Sequence, residues 1–435
     1  MITDIYQQRR IELLAQLPNN SIVLLAGHQQ KVRSKNIKYH FRQDNDFFYL
    51  TGFNEPDAVA LLIKNQQSSY HLFLRPKDKA QEVNFGHRAG IAGAIEDYNA
   101  DHAYLINELT EQLLSLLNGI TSLYISDESA RFSSEVIGWV NHLRHHASFD
   151  TPKQFIAVKQ LAKIIHQQRL IKTTSEINCI RQAVKASTYG HKAVMQACTA
   201  GINERELSAL FDCSIAKHDC SEVAYPNIVA SGNNACCLHY EENCCILKDG
   251  QMLLIDAGAE HQYYAADITR SFPVNGRFSP EQKAIYQIVL NALDQAIEKV
   301  TPGLPWNTLY ETCMKTMAIG LKELGLLSGS IEQIMETESY KRFTVHKTGH
   351  WLGMDVHDVG RYHDDNGNWC HLQPGMVFTI EPGIYIAADA TDVPEQYRGM
   401  GIRIEDDILV TETGHENLSI NVPRTIAEIE RYMNR

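Results

Sequence analysis

The sequence predicts an α/β protein of two domains, on three observations. Over residues 1 to about 150, short β-type runs alternate with helical patterns. From residue 173 the helix-start signals sharpen, and acid-bearing strand-like stretches lie between and after the helices. Two of those stretches match each other: "GQMLLIDAG" (250–258) and "GMVFTIEPG" (375–383) both read Gly, five mostly apolar residues ending in Ile, an acid, one residue, Gly. A length of 435 residues also favours two cores over one. We place the domains at 1–165 and 166–435, the second built from two related halves.

The elements follow in order. "MITDIYQQRRIELLAQL" interleaves acid and arginine with apolar residues, so it reads as a helix rather than a cleaved leader. "SIVLLAG", "AVALLIK" and "YHLFL" are strands, and a helix is expected around 105–117, in "INELTEQLLSLLN". "TTSE" at 173–176 is a capping box: the Thr173 hydroxyl and the Glu176 carboxylate each satisfy a free backbone N–H. Ile177, Ile180 and Val184 then share one helix face. A second helix covers about 204–218. A third opens at Ser279-Pro280 with Gln282 in the capping position, and buries Ile285, Ile288, Val289, Ala292 and Ile297.

Composition excludes several classes. The formal net charge of -12 argues against nucleic acid and against an anionic membrane surface, because both need cations to neutralise phosphate. No apolar run approaches the ~20 residues of a membrane span. All ten cysteines lie between Cys179 and Cys370, with adjacent pairs at Cys236–Cys237 and Cys244–Cys245. That spacing is not the C-x-x-C of a thiolate metal site, and reduced cytoplasmic thiols are the expectation.

The acids carry the chemistry. "MLLID" and "ADITRSF" flank a polar turn near Glu260–Tyr263, which sets Asp256 and Asp267 roughly opposite each other in a hairpin among Leu253, Leu254, Ile255 and Ile268. Like charges opposite each other on half-buried strands are destabilising. Either one acid is protonated or turned to solvent, or a cation lies between them. The second half repeats the problem: Glu381 ends an apolar strand, and in "GIRIEDDILVT" Arg403 and Glu405 share a face. His350, in "HKTGHWLGMDVHD" (346–358), adds an imidazole between His346 and His357. Four carboxylates and one imidazole make a mostly oxygen-donor set for two divalent ions, with manganese a good match. "HKTGH" lacks the glutamate of the helical H-E-x-x-H zinc motif, and Gly349 weakens a helix there.

Taken together, "LIDAG", "ADITRSF", "HWLGMDVHDVG", "TIEPGIYI" and "RGMGIRIEDDILVTETG" resemble the proline-specific metallopeptidases of the pita-bread fold, aminopeptidase P among them. "FRQDNDFFYLTGFNEPDAVALLI" is similar to the amino-terminal domain of that family, so the resemblance spans nearly the whole chain. It implies a pita-bread catalytic domain with pseudo-two-fold halves. It implies metal ligands at Asp256, Asp267, His350, Glu381 and Glu405, and substrate-handling histidines at His239, His346 and His357. Tyr385 and Arg403 match positions the family keeps beside the metals. Lys347 departs from the family, which usually has a small residue there.

The implied reaction is hydrolysis of the bond between a first residue and a proline in second position, by a hydroxide bridging two ions, most readily Mn²⁺. His357 helps stabilise the oxyanion, and Glu381 moves a proton from the bridging water to the proline nitrogen. His239 and His346 hold the proline side, Tyr385 joins them in binding substrate, and Arg403 orients the acids. The resemblance also implies a homo-oligomer, a dimer or tetramer. Prolidase, which cuts only dipeptides, is the nearest alternative. Methionine aminopeptidase usually lacks a large preceding domain. Creatinase and the non-catalytic binding modules of this fold do without these ligands.

Overall fold

The computed structural model describes residues 2–126, 132–145 and 156–433. The chain divides into two compact units, Met1–Gln168 and Arg169–Arg435.

The first unit is built on a six-stranded mixed sheet. Its strands are β1 (Ser21–Ala26), β4 (Val59–Lys64), β5 (Ser69–Leu74), β6 (His102–Leu105), β7 (Ser122–Ile125) and β8 (Ala157–Gln160), and a separate small hairpin joins β2 (Val32–Ser34) to β3 (Ile37–Lys38). The sheet order is β6-β5-β4-β1-β7-β8, with β1 antiparallel to β4 and parallel to β7. Every residue of β1 is buried, as a central strand covered on both faces requires. Ile22, Leu24, Leu61, Phe73, Leu113 and Trp139 meet in its core. The predicted helix at 105–117 begins late: residues to Leu105 belong to β6, and the α-helix is Leu109–Leu116. The Glu108 carboxylate accepts the Leu105 N–H at 2.7 Å and turns the chain out of the strand first.

The second unit repeats one pattern. In its first half, helices Thr174–Ala197 and Glu204–Ala216 precede an antiparallel pair, β11 (Met252–Asp256) and β14 (Thr269–Pro273). In its second half, helices Pro280–Lys299 and Asn307–Glu323 precede β15 (Val377–Ile380) and β18 (Asp406–Val410). Both leading helices open on a capping box, Thr173 with Glu176 and Ser279 with Gln282. β9 (Glu222–Val223) and β10 (Ile228–Ser231) precede β11, and β12 (Ala259–His261) and β13 (Tyr264–Ala265) form the first-half hairpin tip. β16 (Gly383–Ile386) pairs with β17 (Met400–Arg403), and β19 (His415–Asn417) edges β18.

The two halves are tied through strand partners. The Arg270 guanidinium, fully buried, pairs with the Asp406 carboxylate at 2.7 Å and donates to the Glu405 carbonyl at 2.6 Å. A second buried cluster anchors the loop that carries the histidines. Asp358 receives Arg169 at 2.7 Å and Lys172 at 2.9 Å, with all three side chains almost fully covered. The Asp358 N–H donates to the Trp351 carbonyl, which fixes the loop behind His350. Removing one member of such a cluster strands uncompensated charge. Asp358→Ala is therefore expected to cost about 3–5 kcal/mol, read as a lower unfolding midpoint of the second unit by calorimetry. An unchanged midpoint would mean that Asp355, which also pairs with Arg169 at 2.8 Å, and water at Lys172 compensate the loss. Burial alone would push the Asp358 carboxyl up, but Lys172 and Arg169 outweigh it and hold it below the usual range. The contribution is thus complete above the unfolded-chain value of about 3.9 and is lost as pH falls below it toward the depressed folded value.

Candidate active site

A cavity of about 1240 Å³ in the second unit is lined by Asp256, Asp267, His350, Glu381 and Glu405 together with His239, His346, His357 and Arg403. These nine, with Tyr385 behind them, are the ten residues singled out from the sequence.

Local backbone explains how the acids meet. In the second half, Ile380 pairs with Asp406 and Gly383 with Arg403, so Glu381 and Glu405 sit across from each other in the break between β15–β18 and β16–β17. The first half is offset. Asp256 pairs with Thr269, which puts Asp267 two positions further along rather than opposite. The same register runs on to the hairpin tip, where Glu260 pairs with Ala265, and at Gly258 the strands lie so close that a Cβ would fall 1.7 Å from the Ala266 carbonyl oxygen. His350 is placed by a second close approach. A Cβ on Gly349 would fall 2.2 Å from the Thr379 carbonyl oxygen, so only glycine lets this loop lie against β15.

The donor atoms converge. Asp267, His350 and Glu405 each offer one ligand atom, and these atoms lie within 4.8 Å of one another. His350 Nε2 is 3.3 Å from Asp267 Oδ2 and 3.9 Å from Glu381 Oε1. The Thr269 hydroxyl donates to Glu405 Oε2 at 2.8 Å and accepts from Arg403 Nε at 3.1 Å. Arg403 also pairs with Asp256 and donates to the Tyr385 hydroxyl at 2.9 Å.

Tyr225 was not evident from the sequence. Its hydroxyl lies 2.6 Å from Asp256 Oδ1 and 2.6 Å from Asp267 Oδ1. A phenol has one proton and serves one acceptor at a time. The other short contact brings together two oxygens with lone pairs, which demands a further proton or a nearby cation. Asp407 was also missed. It lies fully buried, with Oδ2 accepting the Asp267 N–H at 3.2 Å and Oδ1 without a hydrogen-bond partner. The sequence signal was available in "EDD", where a strand of alternating faces leaves one of two adjacent acids pointing inward. Tyr225 carried no comparable signal, since it lies in an irregular stretch between β9 and β10.

Electrostatics agree with this crowding. Burial pushes the Glu381 carboxyl up to about 7, with Asp267 and Asp256 adding to it against His350 and Arg403. Burial also raises Asp256 and, with Asp267 and Glu381 beside it, takes Glu405 well above the carboxylate range. Asp267 is the exception: burial works against it, but its hydrogen bond to His350 holds it low. His350 is raised to about 9 because the Asp267 and Glu381 carboxylates outweigh its burial. Arg403 and His350 are the cationic groups in direct contact with these acids among the described residues. The surplus of buried oxygen donors, and the doubled contact at Tyr225, fit divalent cations bound among Asp256, Asp267, His350, Glu381 and Glu405.

The three flanking histidines differ. His357 is exposed and packs edge-on against His350, their ring centroids 4.4 Å apart. His239 is exposed on the cavity wall. His346 has both ring nitrogens engaged, Nδ1 with the Lys347 carbonyl at 2.6 Å and Nε2 with the Tyr385 hydroxyl at 2.7 Å. Burial first, then Arg403, pulls the His346 ring down to about 4, so it is neutral near pH 7. It then donates from Nδ1 and accepts from Tyr385, and in this arrangement it braces the wall instead of presenting a free nitrogen.

Comparison with known proteins supplies the context. Residues 178–412 match the family model of metallopeptidase family M24, and residues 6–124 match the aminopeptidase P N-terminal domain. The chain is 39% identical over 430 residues to Xaa-Pro aminopeptidase of Escherichia coli, covering 98% of this chain and 97% of that protein. It is 40% identical over 430 residues to Xaa-Pro aminopeptidase of Haemophilus influenzae, covering 99% and 97% respectively. Among solved structures, aminopeptidase PepP of Pseudomonas aeruginosa superposes with a TM-score of 0.96 at 43% identity, over 99% of this chain and 98% of that one. Escherichia coli aminopeptidase P with the inhibitor Pro-Leu superposes with a TM-score of 0.95 at 38% identity, over 99% and 98%.

Proposed function

The chain belongs to metallopeptidase family M24, among the Xaa-Pro aminopeptidases, and from that premise we propose that it removes the first residue of peptides with proline second, at a dinuclear site. The observation that carries this reading is the convergence of Asp256, Asp267, His350, Glu381 and Glu405 on one cavity. Their hard oxygen donors favour manganese. Divalent ions held there would supply the positive charge that polarises a carbonyl and makes water acidic enough to attack, as hydroxide between them, near neutral pH.

The protein's own groups do the rest. Glu381 sits in the cavity beside His350, where its carboxylate can take a proton from the attacking water and return it. The leaving proline nitrogen needs that proton, because a tertiary amide has no N–H of its own. His357 stands exposed beside His350, placed to donate to the developing oxyanion. The buried acids attract the substrate's free α-ammonium, which favours an exopeptidase acting from the N-terminus. His239 lines the cavity and would contact the proline side. Arg403 holds Asp256 and, through Tyr385, His346. We also propose a homo-oligomer, as a dimer or tetramer, and a cytoplasmic setting, which the ten cysteines, none bonded to another, favour. No helix among the described residues is long and apolar enough to cross a membrane.

A peptide panel read by mass spectrometry, with and without Mn²⁺, tests the reading. Arg-Pro-Pro and longer Xaa-Pro peptides are expected to lose their first residue only when metal is supplied. Cleavage restricted to Xaa-Pro dipeptides would make the enzyme a prolidase instead.

A further inference from the structure

One charged group on the cavity wall is left over once the acids and histidines have been assigned. Lys347 lines the same cavity as Asp267 and Glu381, and its side chain is exposed there. No carboxylate of the described residues lies within ion-pair distance of it. The other charged groups nearby are already engaged. Lys341 pairs with Glu338 at 2.5 Å, Glu311 accepts the Asn307 side-chain amide at 2.6 Å, and Arg403 is buried against Asp256. The backbone on which Lys347 stands is held at two points. Its carbonyl accepts from His346 Nδ1 at 2.6 Å, and the next carbonyl, of Thr348, accepts the Glu381 N–H at 3.1 Å. A flexible cation is thus rooted at a fixed point beside the reacting centre.

We propose that Lys347 sets substrate preference by taking a carboxylate of the peptide beyond the proline. This rests on the reading of the chain as an Xaa-Pro aminopeptidase. The substrate of such an enzyme carries an ammonium at its leading end. The buried carboxylates attract that end and Lys347 repels it, so a bound peptide lies with its trailing end toward the lysine. An extended chain advances about 3.3–3.6 Å per residue, so a carboxylate one or two residues past the proline stays within about 7 Å of it. A lysine is a point charge on a flexible stem and imposes no bidentate geometry. The site therefore reads negative charge from either source: the free C-terminus of a short peptide, or an acidic side chain next to the proline.

The experiment uses the Mn²⁺-loaded enzyme and three peptides: Ala-Pro-Ala with a free C-terminus, its C-terminal amide, and Ala-Pro-Glu amide. Each is followed for wild type, Lys347→Gln, Lys347→Arg and Lys347→Glu. The free acid and the glutamyl amide are expected to exceed the neutral amide by about 3- to 10-fold in kcat/KM, chiefly through KM, with the gap shrinking as salt is added. The ratio should fall toward one in Lys347→Gln, survive in Lys347→Arg and invert in Lys347→Glu. If only the free acid or only the glutamyl peptide gains, the surviving arm names the single source. Equal ratios in wild type and Lys347→Gln would overturn the proposal while leaving the aminopeptidase reading intact. Failure of wild type to cleave any of the three would overturn both.

Discussion

Glu381→Gln is expected to lower kcat by about 100- to 10,000-fold, the range that a positioned acid–base group contributes. The substitution keeps the shape and one oxygen donor but removes the group that can carry a proton. It should not unfold the protein, because Glu381 is partly open to the cavity and no buried cation depends on it alone: Arg403 retains Asp256, and His350 retains Asp267. The informative measurement is stopped-time product analysis on a Xaa-Pro tripeptide beside a binding assay for the product dipeptide. Loss of turnover with product binding retained supports the proton-transfer role. A variant that turns over within about tenfold of wild type would remove Glu381 from the mechanism.

The second large effect belongs to Asp267. Its carboxylate touches His350 and Tyr225, and its backbone N–H donates to Asp407, so it stands where the two halves meet. Altering residues that merely orient a metal ligand commonly weakens metal binding by about 10–100-fold. Asp267→Ala removes one of the proposed ligands outright, so at least that loss in Mn²⁺ affinity is expected by titration calorimetry, with activity falling in parallel. Metal stoichiometry and affinity equal to wild type would show that the acids of this cavity are not the ligands.

How much of this was legible beforehand differs by element. β11 and β15 were readable because an apolar run ending in an acid is rare, and finding it twice is rarer. The capping boxes at Thr173 and Ser279 were readable because two side chains three residues apart satisfy known backbone donors. The hairpin register was not. The turn falls on Gln262 and Tyr263, both at positive φ, one position later than the polar stretch suggests; Glu260 therefore pairs with Ala265 and Asp256 with Thr269, which moves Asp267 off the position facing Asp256. The start of the helix at Leu109 was missed for a related reason: apolar residues of β6 continue the helical spacing by chance. Tyr225 lay beyond reach because its contacts are 31 and 42 residues away, through no repeating pattern. His346 was found by position, but only coordinates reveal that both of its nitrogens are already engaged.

The cluster at Asp358 bears on where the chain can be cut. Its two cations are Arg169 and Lys172, the first and fourth residues of the second unit, and they precede its opening helix. Anyone expressing that unit alone would be tempted to begin at the helix cap, Thr173. Such a fragment would leave a carboxylate sealed in the interior with neither counter-charge, directly behind the loop that presents His350 and His357. A fragment that starts a few residues earlier keeps its own lock.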